Sequence, residues 1–212
     1  MLNFDDYGYS NTVNSEILKF APLIEGSAIS VMSNLTNQKQ INELLARFNG
    51  QINIHIDLVE GPFLTELKGT VESLSLEIVA QLDKLIDLGI DPAFIDFHQN
   101  SHKNLKVIMA LMMISDRIGA YPVRPLVQSS LMRSGMVINV KNKLARTLQV
   151  VVNSKINFLS GEVATGLDQC SERNWGKVIG LLNQDGLIFP CHPHIYKREK
   201  MFCEYVLEGK IV

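Results

Sequence analysis

Residues 1–8 of the chain are Met-Leu-Asn-Phe-Asp-Asp-Tyr-Gly, a short apolar run that ends in two adjacent carboxylates and a glycine. In a regular strand, neighbouring side chains point to opposite faces of the sheet. We therefore expect a strand of four residues that breaks into a loop at Asp5 and Asp6, because a loop can aim both carboxylates at one point. Gly8 permits the close turn that follows. The alternative interpretation is a plain polar turn between a strand and a helix.

Composition narrows the class of protein. The chain has 212 residues, of which 46% are hydrophobic, so it can bury one sizeable core, and we expect a single domain over residues 1–212. The net charge of −2 leaves no basic field for nucleic acid or for an anionic membrane. The three cysteines lack metal-binding spacing, the chain begins unlike a signal peptide, and the most apolar stretch, 105–114, is too short to span a bilayer. These features favour a soluble, cytoplasmic protein.

Short β-branched runs alternate with helical patterns along the chain, which favours βα units around a parallel sheet or barrel. After the opening strand, strands are predicted at 27–32, 51–58, 94–98 and 187–190. Helices are predicted from about residue 13 to 20 and at 38–48, 74–88, 105–118, 172–182 and 197–207. Two prolines make 121–125 a short edge strand or an extended segment. The pattern of 126–160 stays open, with short strand candidates at 136–140, 148–152 and 156–159.

All five histidines lie in or just after predicted strands. They are His55, His98, His102, His192 and His194. Because the carboxyl ends of parallel strands meet at one face, we expect four strand ends to direct these histidines and the acidic pair toward one cleft. Imidazole and carboxylate suit a catalytic divalent metal, with one aspartate as a ligand and the other free as a base. A histidine opposite would protonate a leaving amine, which predicts metal-assisted amide or ester hydrolysis.

Several of these residues have simpler interpretations. His102 is suited to cap the helix that follows it, and His194 is interpreted as a solvated loop residue. Arg124 lies between two prolines. It pairs with an aspartate or contacts substrate in one interpretation, and it is an ordinary surface residue in the other. Trp175 falls in a helical stretch and is interpreted as packing rather than as a platform for a sugar.

Five motifs appear in a fixed order along the chain. They are Asn-Phe-Asp-Asp-Tyr-Gly at 3–8, Asn-Ile-His-Ile-Asp-Leu-Val-Glu-Gly-Pro-Phe-Leu at 53–64, Ile-Asp-Phe-His-Gln-Asn-Ser-His at 95–102, Tyr-Pro-Val-Arg at 121–124 and Pro-Cys-His-Pro at 190–193. Each motif alone is weak evidence for a protein family, but the five motifs in this order are specific to one. The ordered set resembles the YdjC-like (ChbG) carbohydrate deacetylases, which are relatives of the NodB polysaccharide deacetylases. The family opens with Asn-Ala-Asp-Asp-Phe-Gly after its first strand.

The resemblance implies an α/β fold, a distorted (β/α) barrel of about seven mostly parallel strands, and a divalent metal ion, Mg²⁺ or Zn²⁺. It implies that the protein removes the N-acetyl group from an acetylated amino sugar or oligosaccharide. Asp5 would be the base, His192 the catalytic acid, and Arg124 would orient Asp5 or the substrate. The implied metal ligands are Asp6, His55 and His98.

The chain also departs from the family. Asn100 replaces the middle histidine of the family's His-Gln-His-x-His, the glycine before His55 is replaced around Asn53, and the loops after residues 62 and 125 are short. Another amide or ester hydrolase and a catalytically inactive sugar-binding relative are therefore the alternatives. A non-haem iron oxygenase shares two histidines and a carboxylate, but we would expect a β-rich sandwich there. The apolar helices at 105–118 and 197–207 suit either a homodimer interface or the core.

Overall fold

A computed structural model describes residues 1–59, 67, 69–130, 136–165, 167–182 and 186–209. The Gly61-Pro62 part of the second motif, and the short loop expected after it, lie outside these residues. Within the described part of the chain, no helix combines the length and the apolar character needed to cross a bilayer.

Among the residues that the structure describes, seven parallel strands form one curved sheet. In chain order they are β1 Leu2–Tyr7, β2 Ala28–Val31, β3 Gln51–Ile56, β4 Ile95–Phe97, β5 Gln128–Ser130, β6 Glu162–Thr165 and β7 Leu187–Cys191. The spatial order is β4-β3-β2-β1-β7-β6-β5, so β7 lies beside β1. This order is that of a barrel whose strands follow one another around the axis.

The chain that leads into β5 lies beside β4. The Ile95 N–H donates to the carbonyl of Pro122 at 2.8 Å, and the Arg124 N–H donates to the carbonyl of Ile95 at 2.9 Å. Val123 forms parallel bridges to both Ile95 and Phe158. Of the two expectations for 121–125, the edge position is therefore wrong, because this extended segment is bridged on both sides, to β4 and to Phe158. The expected distorted (β/α) barrel is confirmed.

Eight α-helices are described around the sheet. They are α1 Asn11–Phe20, α2 Gln38–Arg47, α3 Val71–Asp87, α4 Leu105–Met113, α5 Ser115–Ile118, α6 Met136–Val152, α7 Trp175–Leu182 and α8 Lys197–Leu207. Polar caps fix where several of them begin. The Ser10 side chain accepts from the Val13 N–H, and Thr70 accepts from the Ser73 N–H. Asn37 and Gln40 form a capping box at the start of α2.

The two faces of the strands differ in polarity. Along β3, Ile54 and Ile56 are buried in the hydrophobic core, whereas Asn53 and His55 alternate with them on the opposite face. The outer face packs against the helices, and the inner face is polar although it is buried. Most buried polar groups need hydrogen-bond partners, and the polar groups of this inner face converge on the candidate functional site.

Several predicted elements differ from the structure. The strand candidates at 136–140 and 148–152 both belong to the single helix α6, and the region at 156–159 makes one bridge at Phe158. The 105–118 helix is divided into α4 and α5. The opening strand β1 has six residues rather than four and includes both aspartates. The final helix, α8, occupies the predicted residues 197–207.

Candidate metal centre and active site

A bulge in β1 brings Asp5 and Asp6 to the same face of the sheet. The pairing of β1 with β2 is regular to Phe4, shifts, and resumes at Tyr7. Asp6 has a φ of 72°, in the left-handed region that side chains other than glycine seldom adopt. The sequence prediction that both carboxylates aim at one point is therefore correct in outcome. The predicted loop is wrong, because the pair lies within the strand and not in a loop after it.

Gly8 follows the bulge at a position where a side chain would not fit. Its φ is 105°, and a Cβ placed there would lie 2.0 Å from Thr36 Oγ1 and 2.9 Å from the carbonyl oxygen of Met32. Its N–H donates to Asn14 Oδ1 at 2.6 Å. The glycine thus lets the chain leave β1 tightly against the β2–α2 loop and holds the acidic pair in register.

Three side chains, from β1, from β3 and from the end of β4, form the candidate metal centre. Asp6 Oδ1 lies 2.9 Å from His98 Nδ1 and 3.2 Å from His55 Nε2. His55 lies near the carboxyl end of β3, and His98 directly follows β4. All three potential ligand atoms lie within 4.8 Å of one another. Atoms bound to one ion at about 2.1 Å are separated by about 3 Å, so this spacing fits a divalent cation.

The chemistry of His55 supports the same assignment. Its imidazole is buried, and neither ring nitrogen makes a hydrogen bond with the described residues. Nε2 faces Asp6, and Nδ1 lies 3.3 Å from Asp96 Oδ2, the arrangement in which a carboxylate orients a metal-binding histidine. Burial works against ionisation of Asp6, but the imidazoles of His194, His55 and His98 lower its pKa well below the usual value. The donor set therefore consists of an ionised carboxylate and two imidazoles.

A second cluster with ligand-like spacing lies deeper and consists of Asp5, His55 and Asp96. All three residues are buried, and the guanidinium of Arg124 already contacts both carboxylates. A second cation placed there would be repelled by Arg124. The Asp6 cluster, which opens into a cleft, is therefore the better candidate for a metal ion.

The polar residues of the inner face form a continuous hydrogen-bond network below the acidic pair. The Asn3 amide nitrogen lies 2.5 Å from Asp5 Oδ1, 2.8 Å from Ser30 Oγ and 3.2 Å from Asp96 Oδ2. Asn53 donates to Asn3 Oδ1 at 2.9 Å. No sequence motif assigns these residues a role in the site. The feature of the sequence that could have identified them is the alternation of polar and apolar residues, since the polar positions of the first four strands fall on one face.

Arg124 is fully buried and pairs with two carboxylates. Its Nη1 contacts Asp96 and lies 3.6 Å from Asp5 Oδ2. Of the two interpretations of Arg124, the ion pair is therefore correct, and the surface residue is excluded. Burial and the neighbouring Asp96 raise the pKa of Asp5 despite the guanidinium beside it. Asp5 thus has a higher affinity for a proton than Asp6, its neighbour in the sequence.

His192 lies on the other side of Asp5. Its Nε2 is 3.5 Å from Asp5 Oδ2, and its Nδ1 is 3.6 Å from Glu199 Oε2. The His192 backbone N–H also donates to Glu199, a buried residue of α8 that the sequence analysis did not single out. Burial opposes protonation, but Glu199, Asp5 and Asp6 together raise the pKa of His192 to about 9. The imidazole is therefore cationic at neutral pH.

The remaining two histidines differ from their predicted roles. His194 is not solvated, because its side chain is only 8% exposed and its Nε2 lies 3.4 Å from Asp6 Oδ2. His102 is buried against Phe97, and its Nε2 lies 3.3 Å from the carbonyl oxygen of Pro125. It does not cap α4, since Asn104 fills that position.

The cluster opens into a cleft of about 900 Å³. Its rim carries the exposed aromatic rings of Tyr9 and Tyr196, which are 61% and 42% exposed. Trp175 lies elsewhere and packs on Phe202 and Tyr205, so its interpretation as a packing residue is confirmed. The structure thus brings together all the residues that sequence motifs assigned to the site: five of them line this cleft, and His55 lies behind Asp6. These residues are Asp5, Asp6, His55, His98, Arg124 and His192.

A comparison with protein families identifies the group to which this architecture belongs. The family model described as YdjC-like protein matches residues 1–205, almost the whole chain. The chain belongs to the YdjC-like family. This family is related to carbohydrate deacetylases, so the resemblance seen in the motifs is confirmed at the level of the family.

Solved structures share the fold of this YdjC-like protein. A candidate cellobiose-phosphate cleavage protein from Enterococcus faecalis V583 has a TM-score of 0.65 at 15% identity, over 100% of this chain and 88% of the other. An uncharacterized protein from Agrobacterium tumefaciens C58 has a TM-score of 0.56 at 9% identity, over 98% of this chain and 82% of the other. No protein with a curated function matches the chain significantly.

Proposed function

We propose that this YdjC-like protein is a metal-dependent hydrolase that removes the N-acetyl group from an acetylated amino sugar or oligosaccharide. The observation that carries the proposal is the placement of Asp5 and His192 beside the Asp6–His55–His98 cluster. Asp5 has a raised pKa and suits a base, whereas the cationic His192 suits an acid. Amide hydrolysis needs a base for the attacking water and an acid for the leaving amine.

In this proposal Asp6, His55 and His98 hold the metal ion, Mg²⁺ or Zn²⁺. When bound, the ion supplies a Lewis acid that polarises an acyl oxygen and makes a water molecule more acidic. Asp5 Oδ2 accepts the proton of the attacking water. Arg124 fixes the orientation of Asp5 through its contact at 3.6 Å and through its shared partner, Asp96.

His192 completes the reaction at the nitrogen. Its Nε2 donates a proton to the leaving amine as the C–N bond breaks, while the oxygen of water remains on the acyl carbon. The products are acetate and a free amino sugar. Glu199 holds His192 through its backbone N–H and lies near Nδ1, so the imidazole stays protonated and oriented. In this mechanism the chain itself supplies both the base, Asp5, and the acid, His192.

Two features support a sugar as the substrate. The cleft volume of about 900 Å³ is large enough for an oligosaccharide segment. Tyr9 and Tyr196 expose aromatic rings at its rim, where they offer apolar faces next to polar groups, as sugar-binding clefts require. Membership of a family related to carbohydrate deacetylases points to the same class of substrate.

The test is to measure metal content and acetate release from N-acetylglucosamine oligosaccharides in the wild type, in His98→Ala and in Glu43→Ala. Glu43 lies on the exposed part of α2 and serves as the control. We expect one metal ion per chain and acetate release in the wild type and the control, and loss of both in His98→Ala.

Other results would redirect or reject the proposal. Metal binding without acetate, but with hydrolysis of simple amides or esters, would indicate another hydrolase. Tight binding of acetylated sugar without turnover would indicate a catalytically inactive relative. A wild-type protein that binds no divalent metal would contradict the proposal.

A further inference from the structure

We propose that His194 is a positioning residue for the metal-binding carboxylate: its Nε2–H donates to Asp6 Oδ2 and leaves Asp6 Oδ1 to face His55 and His98. This inference rests on the proposed metal-dependent function. It assigns a role to a residue that the sequence motifs did not include.

The two oxygens of Asp6 face different partners. Oδ1 lies 2.9 Å from His98 Nδ1 and 3.2 Å from His55 Nε2, whereas Oδ2 lies 3.4 Å from His194 Nε2. Among the described residues, the groups with ligand spacing include His55 and His98 but not His194. His194 therefore contacts the oxygen that the candidate ligands leave free, which distinguishes positioning from ligation.

The backbone holds His194 in place. It lies in a turn between β7 and α8 in which the N–H groups of Ile195 and Tyr196 both donate to the carbonyl oxygen of His192, at 2.9 and 3.0 Å. The side chain is 8% exposed. The turn and the burial of the side chain thus place the imidazole beside Asp6, as expected of a group that orients another side chain.

The surroundings of the ring also define which nitrogen carries the proton. Nδ1 of His194 is buried and has no hydrogen-bond partner among the described residues. A proton on Nδ1 would leave a buried donor unpaired, whereas a proton on Nε2 faces the Asp6 carboxylate. The tautomer with Nε2–H is therefore favoured over the one with Nδ1–H, and it donates toward Asp6.

The consequence for metal binding follows from the rotation of a carboxylate. An unrestrained Asp6 side chain would turn about its last bond and present either oxygen, and its ordering would oppose binding of the ion. A hydrogen bond to Oδ2 removes this freedom in advance. Loss of such outer partners typically weakens metal affinity about 10- to 100-fold.

The experiment compares Zn²⁺ and Co²⁺ affinity, by competition titration, in the wild type, His194→Ala, His194→Gln and Ile195→Ala. Glutamine places an amide N–H near the position of Nε2, so it tests rescue of the hydrogen bond. Ile195, which is 57% exposed, is the neighbouring control. The Co²⁺ absorption spectrum reports the ligand set independently of activity.

We expect His194→Ala to lower metal affinity by about tenfold or more, with the stoichiometry and the Co²⁺ spectrum unchanged. His194→Gln should recover most of the affinity, and Ile195→Ala should match the wild type. Wild-type affinity in His194→Ala would overturn this inference and leave the proposed function intact. A changed Co²⁺ spectrum in His194→Ala would also overturn it, because His194 would then be a ligand. A wild type without metal would overturn both.

Discussion

Two neighbouring aspartates differ in their affinity for protons. Asp6 is surrounded by imidazoles that lower its pKa, whereas Asp5 lies in a buried position beside Asp96 that raises its pKa. Groups whose environments separate their pKa values in this way can divide the roles of acid, base and ligand. At the residue scale the site therefore depends on what surrounds each carboxylate, since the two side chains are chemically identical.

Replacing Asp5 by Asn tests this division. Asparagine keeps the shape but cannot accept a proton from water, so we expect acetate release to fall by about 10²- to 10⁴-fold or more. Metal content should be unchanged, because Asp6, His55 and His98 remain. Metal analysis together with acetate assays would check this result. A fully active Asp5→Asn protein would remove Asp5 from the role of base.

Replacing Glu199 by Gln tests the acid. Because His192 acts in its protonated form and its pKa is raised to about 9, activity should decrease above about pH 9. Without the Glu199 carboxylate, this alkaline decrease should move down by about one pH unit or more. The profile of kcat/KM against pH measures the shift.

The control for Glu199→Gln is Glu16→Gln. Glu16 pairs with Lys200 at 2.8 Å on the outside of the protein, so the same chemical change is made away from the cleft. Its pH profile should match that of the wild type. An unchanged profile in Glu199→Gln would mean that Glu199 only supports the backbone.

At the scale of single elements, β1 depends on the glycine that ends it. Gly8→Ala would impose both a strained φ of 105° and contacts with Thr36 and Met32. We expect the free energy of unfolding to fall by about 2 kcal/mol or more. Urea unfolding at unchanged m-value would measure it.

Gly26→Ala is the matched control for this change. Gly26 has a φ of 68°, but a Cβ there would meet no atom within 4 Å, so only the conformational penalty of about 1 kcal/mol applies. Equal effects of the two substitutions would show that the close approach to Thr36 does not matter.

The elements also show where sequence patterns succeed. α8 could be predicted because its helical pattern has a clear start and a clear end. β3 could be predicted because apolar and polar residues alternate strictly along it. α6 was missed because its valines and isoleucine favour strands locally, whereas its position in the barrel requires a helix between β5 and β6. Local propensity carried no information about that position.

At the scale of the whole molecule, the barrel explains why the site could be predicted from ordered motifs. Parallel strands bring their carboxyl ends to one rim, so Asp6, His55 and His98 meet although they are far apart in the chain. Partners such as Glu199 and His194 could not be assigned in this way, because their roles depend on how α8 and the loop before it pack.

Arg124 connects distant parts of the barrel, and its removal should therefore affect the entire fold. Arg124→Met would leave the buried carboxylates of Asp5 and Asp96 without their cation. We expect a loss of about 3–5 kcal/mol in the free energy of unfolding. Arg117→Met is the control, since Arg117 pairs with Asp83 at the surface and should contribute about 1 kcal/mol or less. Similar stability of both variants would contradict the prediction that the buried carboxylates of Asp5 and Asp96 depend on the Arg124 cation.

The bulge in β1 changes which face of the sheet the side chains after it occupy. Phe4 and Tyr7 are three residues apart, an odd separation that in a regular strand places side chains on opposite faces. Here both are buried in the hydrophobic core, and the Tyr7 hydroxyl reaches the carbonyl of Gln40 in α2. The extra residue of the bulge returns the side chain of Tyr7, after the acidic pair, to the outer face that Phe4 also occupies. A deletion of one aspartate would therefore leave a regular strand with a single carboxylate, so catalysis could be lost while the barrel is kept.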